Sequence, residues 1–331
     1  MQKKIKFGII GCSRIVESST IPAIRESKFA EVCIIGSRSE KKAKDFAKKF
    51  DCKLYGNYDN VLENRNVQAV YISVPIGLHK EWSIKAAKAG KHILCEKSSA
   101  ASFVDAKHMV KQAKENNVRL MEGFMFRFHP SHTKVHELIK KGYIGKLFTF
   151  YGNYGFPPID HNDIRYKKNL GGGILNDSGC YPICASRIIF NKEPTGVLCN
   201  SIIDQKSGVD TKTTIFLKFN EKQFAHMATG YGLFYQSMYD IWGSEGRLRL
   251  SRAYNIPPYM KASIIIESNK IKKNILIPPN NHFKLMIDNF SQEILGKKFC
   301  NFNFEEDLLK QAKVMDAARK SHKEQRYINI K

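Results

Sequence analysis

The sequence contains no apolar run long enough to cross a membrane, which takes about 20 residues. Its first residues, Met1 to Ile5, carry too short an apolar run for a secretory signal peptide. It also has no internal repeat and no low-complexity linker. These absences argue against a membrane protein, a solenoid and a disordered chain, so we expect a globular cytoplasmic protein with no membrane partner.

Metal-binding cysteine patterns are missing as well. The eight cysteines include no CxxC pair, and no cluster of His and Cys completes a zinc site around Cys180 and Cys184, four residues apart. Several cysteines lie inside apolar runs, where a reduced thiol packs as a small hydrophobic side chain. We therefore predict reduced core thiols and no metal ion. The cysteines are Cys12, Cys33, Cys52, Cys95, Cys180, Cys184, Cys199 and Cys300.

Acidic residues are few: 31 Asp and Glu stand against 54 Lys and Arg, for a formal net charge of +23. A nucleic-acid-binding protein gathers its basic residues into a stripe or motif. Here they are scattered from Lys41 to Lys297 without a long run, so we expect no nucleic-acid partner unless the structure shows a contiguous basic stripe. A solvated cationic surface favours anionic ligands such as phosphorylated cofactors and nucleotide sugars.

The first third of the 331 residues alternates strand-like with helix-like segments. Five short apolar runs predict strands, and three amphipathic stretches predict helices. This alternation is typical of a parallel sheet with helices on both faces. The predicted strands are Ile5 to Ile10, Val32 to Gly36, Ala69 to Val74, His92 to Cys95 and Val118 to Met121; the predicted helices are Glu40 to Phe50, Leu78 to Ala89 and Ser102 to Glu115.

The pattern changes after about residue 124, where consecutive strands with short turns predict a mostly antiparallel sheet. We therefore divide the chain into a doubly wound α/β domain, 1–123, and an α+β domain, 124–331, whose last helix can pack back on the first. The predicted strands are Lys146 to Tyr154, Val197 to Ile203, Thr213 to Phe219, Phe224 to Gly230, Ser237 to Trp242, Leu248 to Leu250 and Ala262 to Ile266; the predicted helices are Pro130 to Lys141, Asn176 to Phe190, His282 to Leu295 and Phe304 to Lys320.

A glycine turn follows the first predicted strand. A strand that turns at glycine into a helix directs backbone N–H groups at a diphosphate. Read from Gly11, the dinucleotide fingerprint GxGxxG has Ser13 and Val16 in place of its later glycines, so a simple strand-to-helix turn is the alternative. The surrounding βαβ pattern favours a dinucleotide site formed by Gly8, Gly11, Cys12, Ser13, Arg14 and Ile15.

The end of the second predicted strand indicates which dinucleotide binds. NAD-selective sites place an acid there to bind the ribose 2′-hydroxyl. This strand continues into Ser37 and Arg38, with no acid before Glu40. A hydroxyl followed by a guanidinium suits a 2′-phosphate, so we favour NADP(H) over NAD(H). The alternative is that Arg38 is a solvated loop residue.

Three segments, 89–97, 122–130 and 171–182, occur in an order and spacing that resemble the Gfo/Idh/MocA oxidoreductase family. The resemblance covers most of the chain. It implies a Rossmann domain, a C-terminal domain with a large open sheet, and a substrate bound between them. In this family the open sheet often serves as an oligomer interface, so the resemblance implies a homo-oligomer, either a dimer or a tetramer.

The family's Glu-Lys-Pro motif falls on Glu96, Lys97 and Ser98. Its lysine is implied to contact both the nicotinamide ribose and the substrate. Serine replaces the family's proline, whose peptide bond is typically cis, and the sequence does not fix the isomer here. Val74, Pro75, His79, Glu96 and Lys97 are expected near the nicotinamide, at the carboxyl ends of the strands.

The family's Asp-x-Gly-x-His/Tyr motif falls on Asp177 and Tyr181, which share one helix face at i and i+4. Tyrosine here resembles the branch with glucose–fructose oxidoreductase, dihydrodiol and xylose dehydrogenases, and nucleotide-sugar ketoreductases. A tyrosine with a pKa of about 10 is a poor base unless a neighbouring cation stabilises its phenolate. We therefore predict Tyr181 as acid/base, Lys97 as the cation that tunes it, and Asp177 as a ligand of a substrate hydroxyl. Helix-end packing for Tyr181 and a helix-dipole charge for Asp177 are the alternatives.

The predicted function is hydride transfer between NADP(H) and a sugar or nucleotide-sugar hydroxyl or ketone. An NAD(H)-dependent nucleotide-sugar or polyol dehydrogenase and a non-catalytic dinucleotide-binding regulator are the alternatives. The segment before the glycine run is a plausible substrate loop, with four unranked candidates: Tyr154, Asn162, Arg165 and Tyr166. Arg127 and His129 lie at the crossing between the predicted domains, where Arg127 either binds a substrate anion or forms a structural ion pair. The sequence does not identify the substrate or the direction of the reaction.

Overall fold

The computed structural model describes residues 3–269, 271–297 and 302–330. It divides into two compact units: unit 1 comprises Met1–Phe124 and Phe283–Ala312, and unit 2 comprises Met125–His282 and Lys313–Lys331. The first chain division therefore lies one residue beyond the predicted position. A later segment, Phe283–Ala312, belongs to unit 1 rather than to the unit that precedes it in the sequence.

Unit 1 is built on a six-stranded sheet in the order β3-β2-β1-β4-β5-β6, with every neighbouring pair parallel. This confirms the predicted doubly wound sheet. The short strand β3 was not predicted, because two of its three residues are exposed and it has no apolar run. The strands are β1 Ile5–Ile10, β2 Ala30–Gly36, β3 Leu54–Gly56, β4 Ala69–Ile72, β5 His92–Cys95 and β6 Leu120–Glu122.

Helices connect these strands, and α2 and α5 begin at serine caps. The Ser39 and Ser102 hydroxyls each accept the N–H group three residues later, which satisfies a donor that the first helical turn leaves free. Gly90, with φ of +69°, ends the fourth helix. The helices are α1 Ile21–Glu26, α2 Glu40–Lys49, α3 Tyr58–Glu63, α4 His79–Lys88 and α5 Phe103–Glu115.

Unit 2 is built on a nine-stranded sheet in the order β14-β13-β12-β11-β7-β10-β9-β8-β15. Only β7 and β10 pair in parallel among its described strands, so the prediction of a mostly antiparallel sheet is confirmed. The strands are β7 Leu147–Phe156, β8 Gly196–Ile203, β9 Asp210–Asn220, β10 Gln223–Tyr231, β11 Gln236–Gly243, β12 Gly246–Leu250, β13 Ala262–Ser268, β14 Lys272–Ile277 and β15 Ile328–Asn329.

Four more helices complete the chain: α6 Pro130–Lys140, α7 Cys180–Phe190, α8 His282–Ile294 and α9 Phe304–Glu324. Inside unit 1, Glu305 of α9 accepts the Leu120 N–H at 2.9 Å and pairs with Arg119 at 3.0 Å, which ties the helix to β6. Cys300 and its immediate neighbours lie outside the described residues; the other seven cysteines are free thiols. No helix in the described part of the chain is long and apolar enough to span a membrane.

Candidate active site

The loop after β1 is closed by a glycine and a serine. Gly11 has φ of +105°, and a Cβ there would lie 3.1 Å from the Ser73 backbone, so only glycine fits without strain. The Ser13 hydroxyl donates to Ser73 Oγ at 3.1 Å and accepts the Val16 N–H at 3.3 Å. A side chain therefore organises the loop at the position where the fingerprint has its second glycine.

The end of β2 lies beside this loop. The Cys12 thiol donates to the Gly36 carbonyl at 3.7 Å, and burial raises the pKa of Cys12 to about 11, opposed by the charge of Lys42 and a hydrogen bond with Ser37. Ser37 is buried and accepts the Ser39 N–H at 3.2 Å, whereas Arg38 is exposed. Lys42 is thus a second cation at this edge. Lys42 was not predicted as a cofactor residue, although it lies in the first turn of the helix capped by Ser39.

His79, predicted near the nicotinamide, is almost fully buried. Its Nε2 lies 2.8 Å from the Val74 carbonyl oxygen and its Nδ1 lies 3.0 Å from the Ser98 carbonyl oxygen. Burial lowers the pKa of His79 to about 4; the carbonyls oppose the shift, and the charge of Lys97 adds to it. His79 therefore links the end of β4 to the Lys97 segment, while its contact with a cofactor stays a prediction.

The segment that carries Lys97 is held on both sides by carboxylates. The buried Tyr71 hydroxyl donates to Glu96, and the other Glu96 oxygen accepts the Lys97 N–H at 3.2 Å. Beyond Lys97, the Ser99 N–H donates to the buried Glu122 at 2.8 Å. The Lys97–Ser98 peptide bond is cis, as the resemblance implied for the family's proline. Pro75 precedes the 3₁₀ turn Ile76–Leu78 after β4.

In unit 2 the predicted helix over 176–190 begins differently. Leu175–Gly179 forms a π-helical turn, and the α-helix α7 starts only at Cys180. Asp177 lies in the π-turn, and Tyr181 lies in the first turn of α7. The backbone between them therefore follows a wider turn than the α-helix that the sequence predicted. Ten of the eleven α7 residues are buried, which fixes this helix against the sheet.

The Tyr181 ring is enclosed by aromatic side chains and is only 4% exposed. Its ring centroid lies 5.3 Å from Tyr154, 5.7 Å from Tyr254 and 5.8 Å from Phe126. The hydroxyl donates to the sulfur of Met125 at 3.7 Å. Aromatic packing therefore sets the position of the ring independently of its hydroxyl.

Asp177 forms an ion pair with Arg165. Arg165 Nε donates to Asp177 Oδ2 at 2.7 Å, and its Nη1 donates to Asp163 at 3.1 Å. The negative charge of Asp177 raises the pKa of Arg165. The Asp177 side chain is 15% exposed and that of Arg165 is 37% exposed, so solvent reaches the pair. The structure thus places Arg165, a substrate-loop candidate, beside the predicted catalytic residue Asp177.

The other unranked candidates lie in different surroundings. Tyr154 packs on Tyr181, and Tyr166 packs on Tyr231 at 5.7 Å, while Asn162 is exposed. His129 is buried and accepts the Ser131 N–H at 3.2 Å, which caps α6. The charge of Arg127 contributes to lowering the pKa of His136, after burial. His129 is therefore a helix cap, while the binding of a substrate anion by Arg127 stays a prediction.

Two residues outside every predicted motif hold the π-turn in place. Asp210 accepts the Leu175 N–H at 2.6 Å, and Arg319 donates to Asn176 at 2.6 Å. Gly173 has φ of +116°, and a Cβ there would collide with the Asp210 carboxylate. These contacts join residues far apart in the sequence, so no local pattern could have indicated them.

Two family matches cover most of the chain. Residues 5–124 match the Gfo/Idh/MocA oxidoreductase family with its NAD-binding Rossmann fold, and residues 132–249 match the Gfo/Idh/MocA C-terminal domain. A dTDP-3,4-didehydro-2,6-dideoxy-alpha-D-glucose 3-reductase from Saccharopolyspora spinosa is 34% identical over 294 residues, 89% of each chain. The D-xylose 1-dehydrogenase (NADP(+)) 2 of Haloferax volcanii is 30% identical over 87% of this chain and 88% of its own.

The similarity extends to solved structures. KijD10, a 3-ketoreductase from Actinomadura kijaniata in complex with NADP and TDP-benzene, superposes with a TM-score of 0.92 at 31% identity. The match covers 96% of this chain and 98% of KijD10. The resemblance seen in the sequence is confirmed: this chain belongs to the Gfo/Idh/MocA family of oxidoreductases.

Proposed function

We propose that this protein is an NADP(H)-dependent oxidoreductase that interconverts a ketone and a hydroxyl on a sugar or nucleotide sugar. The observation that carries the proposal is the turn with Asp177 and Tyr181, where packed rings position a tyrosine hydroxyl four residues after a solvent-accessible carboxylate. The 3-ketoreductase and sugar dehydrogenase relatives support the substrate class.

The chain's own residues handle the proton and the orientation of the substrate. A bound nicotinamide supplies or accepts the hydride. In reduction Tyr181 donates its phenolic proton to the substrate oxygen, and in oxidation it takes the proton back. We assign Lys97 to stabilising the phenolate and orienting the reacting oxygen, and Asp177 to binding a neighbouring substrate hydroxyl. Arg165 holds the Asp177 carboxylate in place through the ion pair.

Features of unit 1 fit the dinucleotide. Gly11, with its positive φ, keeps a side chain away from the loop where backbone N–H groups would meet the diphosphate. Arg38 and Lys42 supply positive charge at the end of β2, where a 2′-phosphate would bind. The remaining residues assigned to the cofactor are Gly8, Cys12, Ser13, Arg14, Ile15, Ser37, Val74, Pro75, His79, Glu96 and Lys97.

Replacing Arg38 tests the choice of cofactor. In Arg38→Ala we expect the Kd for NADPH to rise about 10- to 100-fold, because a charge-assisted hydrogen bond to phosphate is lost. The Kd for NADH should change less than twofold. Fluorescence titration of both cofactors measures this. Arg25→Ala, an exposed arginine at the end of α1, is the control and should leave both constants unchanged. Preferential NADH binding by the wild type would instead support an NAD(H)-dependent enzyme.

We also propose that the open face of the unit 2 sheet joins two copies of the chain. Trp242 is 53% exposed and Phe148 45%, and their rings lie 6.0 Å apart. Phe148 also meets Phe224 at 6.0 Å, and a hollow of about 390 Å³ lies on the same sheet between Tyr151 and Phe216. Contiguous exposed aromatic side chains are unusual on a monomer and mark an interface.

The double variant Phe148→Arg/Trp242→Arg should convert the oligomer to a monomer, because it puts two like charges into each facing patch. Size-exclusion chromatography with light scattering measures the mass. Tyr259→Arg is the control, since Tyr259 is 79% exposed and lies outside the sheet strands. A wild-type monomer, or a double variant of unchanged mass, would contradict the proposed interface.

A further inference from the structure

Two tyrosine hydroxyls near the Asp177 turn are covered but have no hydrogen-bond partner among the described residues. They belong to Tyr231, at the end of β10, and Tyr235, in the connection to β11. Tyr231 is only 3% exposed. Leaving a buried hydroxyl unpaired is costly, and most buried polar atoms in folded proteins find a partner. Such a pair of hydroxyls indicates that their partner comes from outside the chain.

The surroundings of Tyr231 link its hydroxyl to the proposed site. Burial raises the pKa of Tyr231, the charge of Asp177 raises it further, and the charge of Arg165 opposes both. These two residues form the ion pair described above, and Arg165 directly precedes Tyr166, whose ring packs on that of Tyr231. Its ring packs on Phe156 at 5.3 Å and on Tyr166 at 5.7 Å. The ring is therefore fixed while the hydroxyl remains unpaired.

Tyr235 lies in the connection that leads into β11. The Arg252 guanidinium stacks over its ring at 4.5 Å and holds it in place. The next two residues, Gln236 and Ser237, pair with Gly155 and Tyr154 of β7. Tyr235 therefore lies near Tyr154, whose ring packs on Tyr181. Tyr231 and Tyr235 thus approach the Asp177–Tyr181 turn through different neighbours.

We infer that Tyr231 and Tyr235 are specificity-determining residues whose hydroxyls bind polar groups of the sugar ring next to Asp177; this inference rests on the proposed function. A phenolic hydroxyl is neutral and both donates and accepts, which suits hydroxyl and carbonyl groups better than phosphate. A substrate with an apolar ring of the same size would leave both tyrosine hydroxyls unpaired, so the site discriminates against such a substrate.

The cover over Tyr231 comes from a loop. Tyr166 belongs to the 3₁₀ turn Ile164–Tyr166, which a second 3₁₀ turn, Lys168–Leu170, follows before the glycine run. Tyr166 itself is partly exposed and stacks on the exposed His161 at 4.4 Å. Tyr166 therefore contacts the Tyr231 ring from a loop outside the sheet.

Removing each hydroxyl by Tyr231→Phe and Tyr235→Phe tests the inference with two independent readouts. An unpaired hydroxyl adds nothing to the free protein, so the Tm of each variant should equal or exceed that of the wild type. The KM for the sugar substrate should rise about 3- to 10-fold, since one neutral hydrogen bond is lost, with kcat changing less. Differential scanning fluorimetry and steady-state kinetics of dTDP-glucose or D-xylose oxidation with NADP⁺ measure the two effects.

Tyr239→Phe is the matched control. Tyr239 is fully buried in β11 of the same sheet, and its hydroxyl lies 3.2 Å from His132 Nδ1. Its loss should lower the Tm and leave the KM unchanged, the reverse of the expected result for Tyr231 and Tyr235. Binding of dTDP-glucose in the presence of NADP⁺, followed as a shift in Tm, supplies a readout that does not need turnover.

The outcomes separate the inference from the proposed function. If the wild type turns the substrate over and the KM is unchanged in both tyrosine variants, the inference is overturned and the proposed function stands. A lower Tm in Tyr231→Phe also overturns it, because the hydroxyl then has a partner within the fold. If the wild type binds dTDP-glucose without turnover and both variants bind it more weakly, the inference stands and the proposed function fails. If the wild type neither binds nor turns over dTDP-glucose or D-xylose, both fail.

Discussion

Tyr181→Phe should lower kcat for ketone reduction about 10²- to 10⁴-fold, the usual contribution of a general acid or base. The variant keeps the ring, which Tyr154, Tyr254 and Phe126 enclose, and loses only the hydroxyl. The free protein should therefore fold as before, with a Tm within a few degrees of the wild type. The Kd for NADPH should also be unchanged, because the cofactor residues assigned above all lie in unit 1.

Single-turnover mixing of the NADPH-loaded enzyme with the ketone, followed at 340 nm, measures this prediction directly. Tyr239→Phe is again the control, and it should be less stable than the wild type but retain kcat. A fall of less than 10-fold in kcat for Tyr181→Phe would mean that another group supplies the proton. The tyrosine would then be a packing residue at the start of α7, the alternative that the sequence left open.

The elements that local patterns encode were predicted well. The strand His92–Cys95 was found with its predicted bounds, because a short buried parallel strand reads as a continuous apolar run. The strand Lys272–Ile277 was missed, because it is an edge strand with only one buried residue and its lysines mask the alternation. Burial on a sheet face therefore decided which strands were recognisable.

The predicted site residues came from motifs, but the side chains that hold them in place could not be predicted from motifs. Asp177 was recognised through the resemblance to the family's Asp-x-Gly-x-His/Tyr motif, whereas Arg165 was one of several unranked loop residues until the ion pair was seen. Asp210 lies 35 residues from its partner Leu175, and Arg319 lies 143 residues from its partner Asn176. Side-chain pairing over such separations depends on the packing of the whole unit, so a single sequence carries no local signal for it.

Lys97→Met should lower kcat/KM for the ketone about 10²- to 10³-fold, which is typical when one donor that stabilises developing negative charge is removed. The change keeps most of the side-chain volume and removes the ammonium. Glu96 and Glu122 hold the backbone on either side of this residue, so the loop should keep its position. We expect the Kd for NADPH to rise less than 10-fold, because the diphosphate and 2′-phosphate contacts assigned above remain.

Lys91→Met provides the control for loss of a lysine in the same unit. Lys91 Nζ donates to the Asn64 carbonyl at 3.0 Å and to the Val67 carbonyl at 2.9 Å, so its removal should lower the Tm and spare kcat/KM. Small primary amines added to Lys97→Ala should restore part of the lost rate, because they return a cation to the space that the side chain leaves. No rescue, together with a loss of NADPH affinity as large as the loss of kcat/KM, would make Lys97 a cofactor-binding residue only. The proton transfer at Tyr181 would then need another source of positive charge, because an isolated phenol with its pKa near 10 is a poor base at neutral pH.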